Sequence, residues 1–147
     1  MKQNVKIFLI ALVIGMVCAF LVCYKLEPTI ISNALETKIT YFYVGSYNSI
    51  ESANNKKNNY ANSIIFNDNG IYKVIIGVYS KKESIELMES YFGDLGISFQ
   101  KKEIKANQEL IQNMRDYELL IVSSEKSYYA NLNNSLLKLF NEYIIRN

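Results

Sequence analysis

The sequence predicts an α+β chain: a duplicated βαβ unit forming a four-stranded, mostly antiparallel sheet with its helices on one face, preceded by a transmembrane helix and followed by a helical extension. Three observations predict it. An uncharged apolar run fills Ile7 to Tyr24, a strand-helix-strand pattern occurs twice at a fixed spacing, and helical periodicity returns beyond Lys105. The organisation that follows is an N-terminus over 1–6, a membrane helix over 7–24, a connector over 25–38, the duplicated domain over 39–104 and the extension over 105–147.

The apolar run is eighteen residues long. At 1.5 Å per residue it reaches about 27 Å, enough to cross a hydrocarbon core of about 30 Å. Lys2 and Lys6 precede it and Lys25 is balanced by Glu27, so the positive-inside bias puts the N-terminus in the cytoplasm and the remainder outside the membrane. A cleaved signal peptide is the alternative, because Ser32 and Ala34 have the small-residue spacing of a processing site. The length of the run and Pro28, which stands in the connector before that site, favour an uncleaved signal-anchor. Either route exports the same domain.

Two of the 16 basic residues stand before the run, so the exported part is close to neutral against its 14 acidic residues. Nucleic-acid binding needs a concentrated field of Lys and Arg over phosphates, and Arg115 and Arg146 are the only arginines. There is no histidine, and Cys18 and Cys23 both lie inside the apolar run, so the exported part has neither a zinc ligand set nor a disulfide. No metal and no cofactor are expected.

From Thr37 the pattern has period two, with Ile39, Phe42 and Val44 among Thr40, Tyr41 and Tyr43, which predicts a strand closed by Gly45 and Ser46. A helix follows over Ser49 to Asn62, N-capped by Asn48 or Ser49 and weakened by its asparagines. Ser63 to Phe66 is β-prone, Asn67-Asp68-Asn69-Gly70 has hairpin chemistry, and Ile71 to Gly77 is the partner strand. Lys82 to Leu95 carries Ile85, Met88, Phe92 and Leu95 on one helical stripe, Gly96 caps it, and Ile97 to Ile104 alternates as a fourth strand.

The segment Gly45-Ser46-Tyr47-Asn48-Ser49-Ile50-Glu51-Ser52 aligns with Gly77-Val78-Tyr79-Ser80-Lys81-Lys82-Glu83-Ser84, 32 residues later. Gly45, Ser46 and Gly77 are read as the structural turns of the two copies. Two such units joined by a hairpin leave one sheet face open. Beyond Lys105, Leu110, Met114, Tyr117 and Ile121 form one helical stripe, and Leu132, Leu136, Phe140 and Tyr143 a second, which predicts a terminal helical hairpin packed on the domain or on a protein partner. Glu118 to Ser123 has a second reading as a strand, because Leu119-Leu120-Ile121-Val122 is continuously apolar.

Phe42-Tyr43-Val44-Gly45-Ser46-Tyr47 and Tyr72-Lys73-Val74-Ile75-Ile76-Gly77-Val78-Tyr79 resemble the sporulation-related repeat, or SPOR, domain over roughly Ile39 to Ile104. The resemblance implies a ribonucleoprotein-like fold that binds peptidoglycan, preferring glycan strands stripped of stem peptides, in proteins of the cell wall at division or sporulation septa. The family's usual strand-one glutamine falls at Tyr43, its basic strand-three positions at Lys73 and Ile75, and its Gly-Pro at Gly77-Val78. Lys73 and the glycines are kept. Tyr41, Tyr43, Lys73 and Ile75 are thus the candidate glycan-binding residues, with the tyrosine rings on the open face available to stack on sugars. The alternative is that the terminal helices cover those tyrosines.

Hydrolysis would need two carboxylates at a set separation. Glu51 and Glu83 occupy equivalent repeat positions, but each opens a helix, where a carboxylate meets the helix dipole favourably. The chain reads as a non-enzyme. Its expected partners are glycan strands, the membrane through 7–24, and proteins through the C-terminal helices; the second functional reading is a subunit of a septal, sporulation or secretion complex that binds no glycan.

Overall fold

The computed structural model describes residues 38–146, so the expected anchor over 7–24 and the connector before Lys38 lie outside the described residues, and Lys38 itself opens the first strand. Among the described residues no helix is long and apolar enough to cross a membrane. The elements are β1 (Lys38–Tyr47), α1 (Ile50–Lys57), β2 (Ile64–Asp68), β3 (Ile71–Tyr79), α2 (Lys82–Asp94), β4 (Gln100–Lys105), α3 (Gln108–Ser123), a 3-10 turn (Lys126–Tyr128) and α4 (Tyr129–Arg146).

The strands form one sheet in the order β2-β3-β1-β4. Every neighbouring pair is antiparallel, so the sheet is wholly rather than mostly antiparallel. Each half is a split βαβ unit: β3 lies between β1 and β2, and β1 lies between β3 and β4. The hairpin forms where Asn69 and Gly70 both take positive φ, 55° and 86°, the requirement of a two-residue primed turn whose twist matches the strands. Gly70 N–H donates to the Asn67 side chain at 2.8 Å and ties the turn down.

Ser49 caps α1, accepting from Ser52 N–H at 3.2 Å. The helix stops at Lys57 instead of reaching Asn62. Ala53 is its one buried residue, so its asparagine-rich continuation has no apolar stripe to hold it helical against a poor propensity. The second helix ends as expected at Gly96, whose φ is 70°. Gly96 N–H donates to Gly93 and Ile97 N–H to Phe92, the paired bonds of a Schellman cap.

Gly45, Ser46 and Gly77 were expected at turns and instead lie inside β1 and β3. Their repetition has a steric cause. Residues two apart share a strand face, and in each copy the following tyrosine folds its ring back over the glycine. A Cβ at Gly77 would stand 2.8 Å from the Tyr79 hydroxyl and 3.1 Å from the Phe92 ring, and one at Gly45 would stand 2.7 Å from the Tyr47 ring. The duplicated motif is therefore a Gly-x-Tyr packing unit.

On one face Phe42 meets Tyr79, Phe92 of α2 and Phe99 at ring separations of 5.6, 5.7 and 5.1 Å. The opposite face, expected to be open, is partly covered. Phe140 of α4 packs on Phe66 at 5.9 Å, Phe66 meets Tyr41 at 5.8 Å, and Ile39, Tyr41 and Ile75 are buried. Leaving those side chains in water would forfeit about 1.5 to 3 kcal/mol each, and the apolar stripe of α4 needs the same burial.

The expected helical hairpin is present, and Leu110, Met114, Ile121, Leu136 and Phe140 are all core residues. Glu118 to Ser123 is helical, not a strand. Its buried members are Glu118 and Ile121, at helical spacing, whereas Leu119, Leu120 and Val122 face outward. Lys81 at the start of α2 supplies no side-chain cap, and the fully buried Glu118 carboxylate takes that role from α3, accepting from Ser80 N–H, the Ser80 hydroxyl and Lys81 N–H. Asn133 of α4 accepts from the Tyr79 hydroxyl and donates to the Ile76 carbonyl at 2.8 Å. β2 pairs with β3 only as far as Ile75, so Asn133 satisfies a carbonyl just past the end of that ladder. The extension is thus an integral part of the domain.

Candidate functional site

Register decides which side chains meet on the partly covered face. Tyr41 stands opposite Lys102 and Tyr43 opposite Gln100 across β1 and β4, while Lys73 stands opposite Phe66 across β3 and β2. An irregularity in the β1–β3 ladder on either side of Tyr43 brings Lys73 beside its ring. The Lys73 ammonium lies 4.0 Å from the Tyr43 ring centre and 6.0 Å from that of Tyr41, within reach of a cation–π attraction.

Asp68, at the end of β2, is the shared acceptor. One carboxylate oxygen receives the Tyr41 hydroxyl at 3.0 Å and the Lys102 ammonium at 2.6 Å, with the Lys73 ammonium 3.7 Å away. The Tyr43 hydroxyl donates to the Gln100 carboxamide oxygen at 2.6 Å. Two ammonium groups against one carboxylate leave this corner with a net positive charge.

The hydrogen bond from Lys102 holds the Asp68 carboxyl below its usual range, helped by Tyr41 and by the charges of both lysines, against the opposing effect of burial. Burial pushes the Tyr41 hydroxyl upward, reinforced by its bond to Asp68. Tyr79, fully buried under Asn133, is raised for the same first reason and then by the charge of Glu118.

The lowered Asp68 fixes the sign of an acid effect. The folded state favours the carboxylate, so this contribution is complete above the ordinary aspartate value of 3.8 and is lost as pH falls through the lower folded value. Urea unfolding of the protein and of Asp68→Asn should therefore differ by a constant amount from about pH 7 to pH 5, and the difference should shrink below about pH 4. A gap that widens on acidification would contradict the assignment.

Of the candidate residues, Tyr41, Tyr43 and Lys73 come together. Tyr41 is fully buried and meets the outside only through its hydroxyl network, and Lys73 is nearly buried; Tyr43 is partly open. Ile75 is a core residue whose side chain has no accessible surface. Sequence reading missed Asp68, taken for turn chemistry, and Gln100 and Lys102, taken only as strand alternation. The usable signal was that alternation itself, since Gln100, Lys102 and Ile104 share one face of β4. Gln100 brings its carboxamide to the Tyr43 hydroxyl. Beside it, Tyr43, Val44, Ser46, Ser98 and Phe99 border a depression of about 250 Å³.

No family model matches the chain. No curated protein matches it in sequence either. Among solved structures, the solution structure of the peptidoglycan-binding domain of the B. subtilis cell wall lytic enzyme CwlC matches 48% of this chain and 91% of that chain, at 22% sequence identity and a TM-score of 0.35. A TM-score that low does not establish a common fold.

Proposed function

We propose that the chain is a membrane-anchored, extracytoplasmic protein that binds the glycan strands of peptidoglycan, in division or in sporulation. The observation that carries this reading is the corner formed by Tyr43, Lys73, Gln100 and Lys102: a partly open aromatic ring flanked by a carboxamide and by two ammonium groups that Asp68 holds in place. A ring offers its face to the apolar side of a pyranose, and the polar groups around it reach hydroxyl and amide oxygens. The SPOR-like motifs and the split βαβ order support the same reading, and the apolar run over 7–24 supports the anchor.

Co-sedimentation of the full chain in detergent with purified sacculi tests it. Tyr43→Ala should weaken binding about tenfold, the loss of roughly 1.4 kcal/mol of ring contact. Unchanged binding, or none by the parent protein, would refute the glycan reading.

The second reading, a protein-interaction subunit, draws on the outward-facing Leu119, Leu120 and Val122 of α3. The expected protein contact through Leu132 to Tyr143 shifts accordingly, because Leu136 and Phe140 are consumed by the domain's own core. A photo-crosslinker at Leu119 that traps one protein in intact cells, with no wall binding, would select this second reading.

A further inference from the structure

We propose that the depression beside Tyr43 is a subsite for the acylamino group of an N-acylated amino sugar. The inference rests on the glycan-binding reading and names the feature of the glycan that this corner reads.

The starting observation is a mismatch in strand length. β1 continues to Tyr47, but its pairing with β4 ends at Tyr43 and Gln100, so among the described residues Val44 to Tyr47 have no strand neighbour on that side. A strand edge without a neighbour presents backbone N–H and C=O groups that still need partners. Of these residues, Val44, Gly45 and Ser46 border the depression, as does Ser98.

The side chains complete a matching set. Gln100 is exposed and accepts the Tyr43 hydroxyl at its carboxamide oxygen, which orients the amide and leaves its NH₂ group to donate. Phe99 and Val44 supply apolar walls. An acylamino group has one amide donor, one carbonyl acceptor and a methyl, and each finds a counterpart here. A hydroxyl in its place lacks the methyl and reaches less far. A free amine would carry positive charge toward the Lys73 and Lys102 ammonium groups.

Size points the same way. At about 250 Å³ the depression is smaller than the roughly 300 to 1,000 Å³ of pockets that enclose whole small molecules, and it has room for an acylamino group carried on a longer chain. The Tyr43 ring lies at its border, where the sugar bearing that group can rest.

The test is a calorimetric titration of the full chain in detergent with chitotetraose, with cellotetraose, and with peptide-stripped glycan strands. The two tetramers are neutral and differ only in having an acetamido or a hydroxyl group on each ring. Chitotetraose should bind at least about tenfold more tightly, and Ser98→Trp, which fills the depression from an exposed position, should abolish that preference without moving the urea midpoint. Equal affinities, or a preference that survives Ser98→Trp, would overturn the inference while glycan-strand binding left the broader reading intact. Failure of the strands and of both tetramers to bind would remove both.

Discussion

Glu118→Ala should lower the unfolding free energy by about 3 kcal/mol, a large share of the 5 to 15 kcal/mol that holds a typical domain together. The Glu118 carboxylate is buried and receives three donors from Ser80 and Lys81 at the start of α2. Hydrogen bonds to a charged acceptor are worth about 1.5 to 3 kcal/mol each, and truncation strands the donors away from water, although a relaxed cavity admitting water would return part of the loss. Glu118→Gln, which keeps one acceptor oxygen and drops the charge, should fall between. Urea unfolding measures both: the midpoint should drop with the slope unchanged. A loss below about 1 kcal/mol would mean that α3 is docked by apolar contacts alone and that the cap is incidental.

This cap also shows where sequence reading stopped. Leu110, Met114 and Ile121 announced a helix by their spacing, and the structure buries all three. Nothing in that spacing tells where the helix docks. Beside the apolar packing, Glu118 reaches Ser80, 38 residues away, and Asn133 reaches Tyr79, 54 residues away. Periodicity reports which face of an element is apolar, and contact between distant elements leaves no periodic trace. The hairpin turn, by contrast, was legible because positive φ at Asn69 and Gly70 is a local demand met by local residue choice.

The candidate site divides along the same line. Alternation placed Tyr41 and Tyr43 on one face and the SPOR resemblance added Lys73, and the three do converge. Asp68, Gln100 and Lys102 join them only through ladder register, which depends on where β4 begins against β1. Gly45 and Gly77 misled because a glycine that ends a strand and one that clears room for a neighbouring ring look identical in sequence. Tyr47 and Tyr79, each two positions on, carried the distinguishing signal.

The largest effect is expected at Phe140, whose ring is buried against Phe66 on the face where the candidate site lies. Phe140→Ala should cost about 3 to 5 kcal/mol, the loss of the ring's burial plus the cavity left behind, and Phe140→Leu about a third of that. The shortened variant has a second readout. Burial is the first cause of the raised Tyr41 hydroxyl, so loosening the cover should let Tyr41 ionise at lower pH than in the parent, seen as the difference between Phe140→Leu proteins with and without Tyr41→Phe in an ultraviolet titration. If the unfolding midpoint drops and Tyr41 does not move, α4 stabilises the sheet without sealing this face. If both move, the terminal helix sets how much of this aromatic surface is accessible, and the cover over Tyr41 leaves the Tyr43 end as the open part of this face.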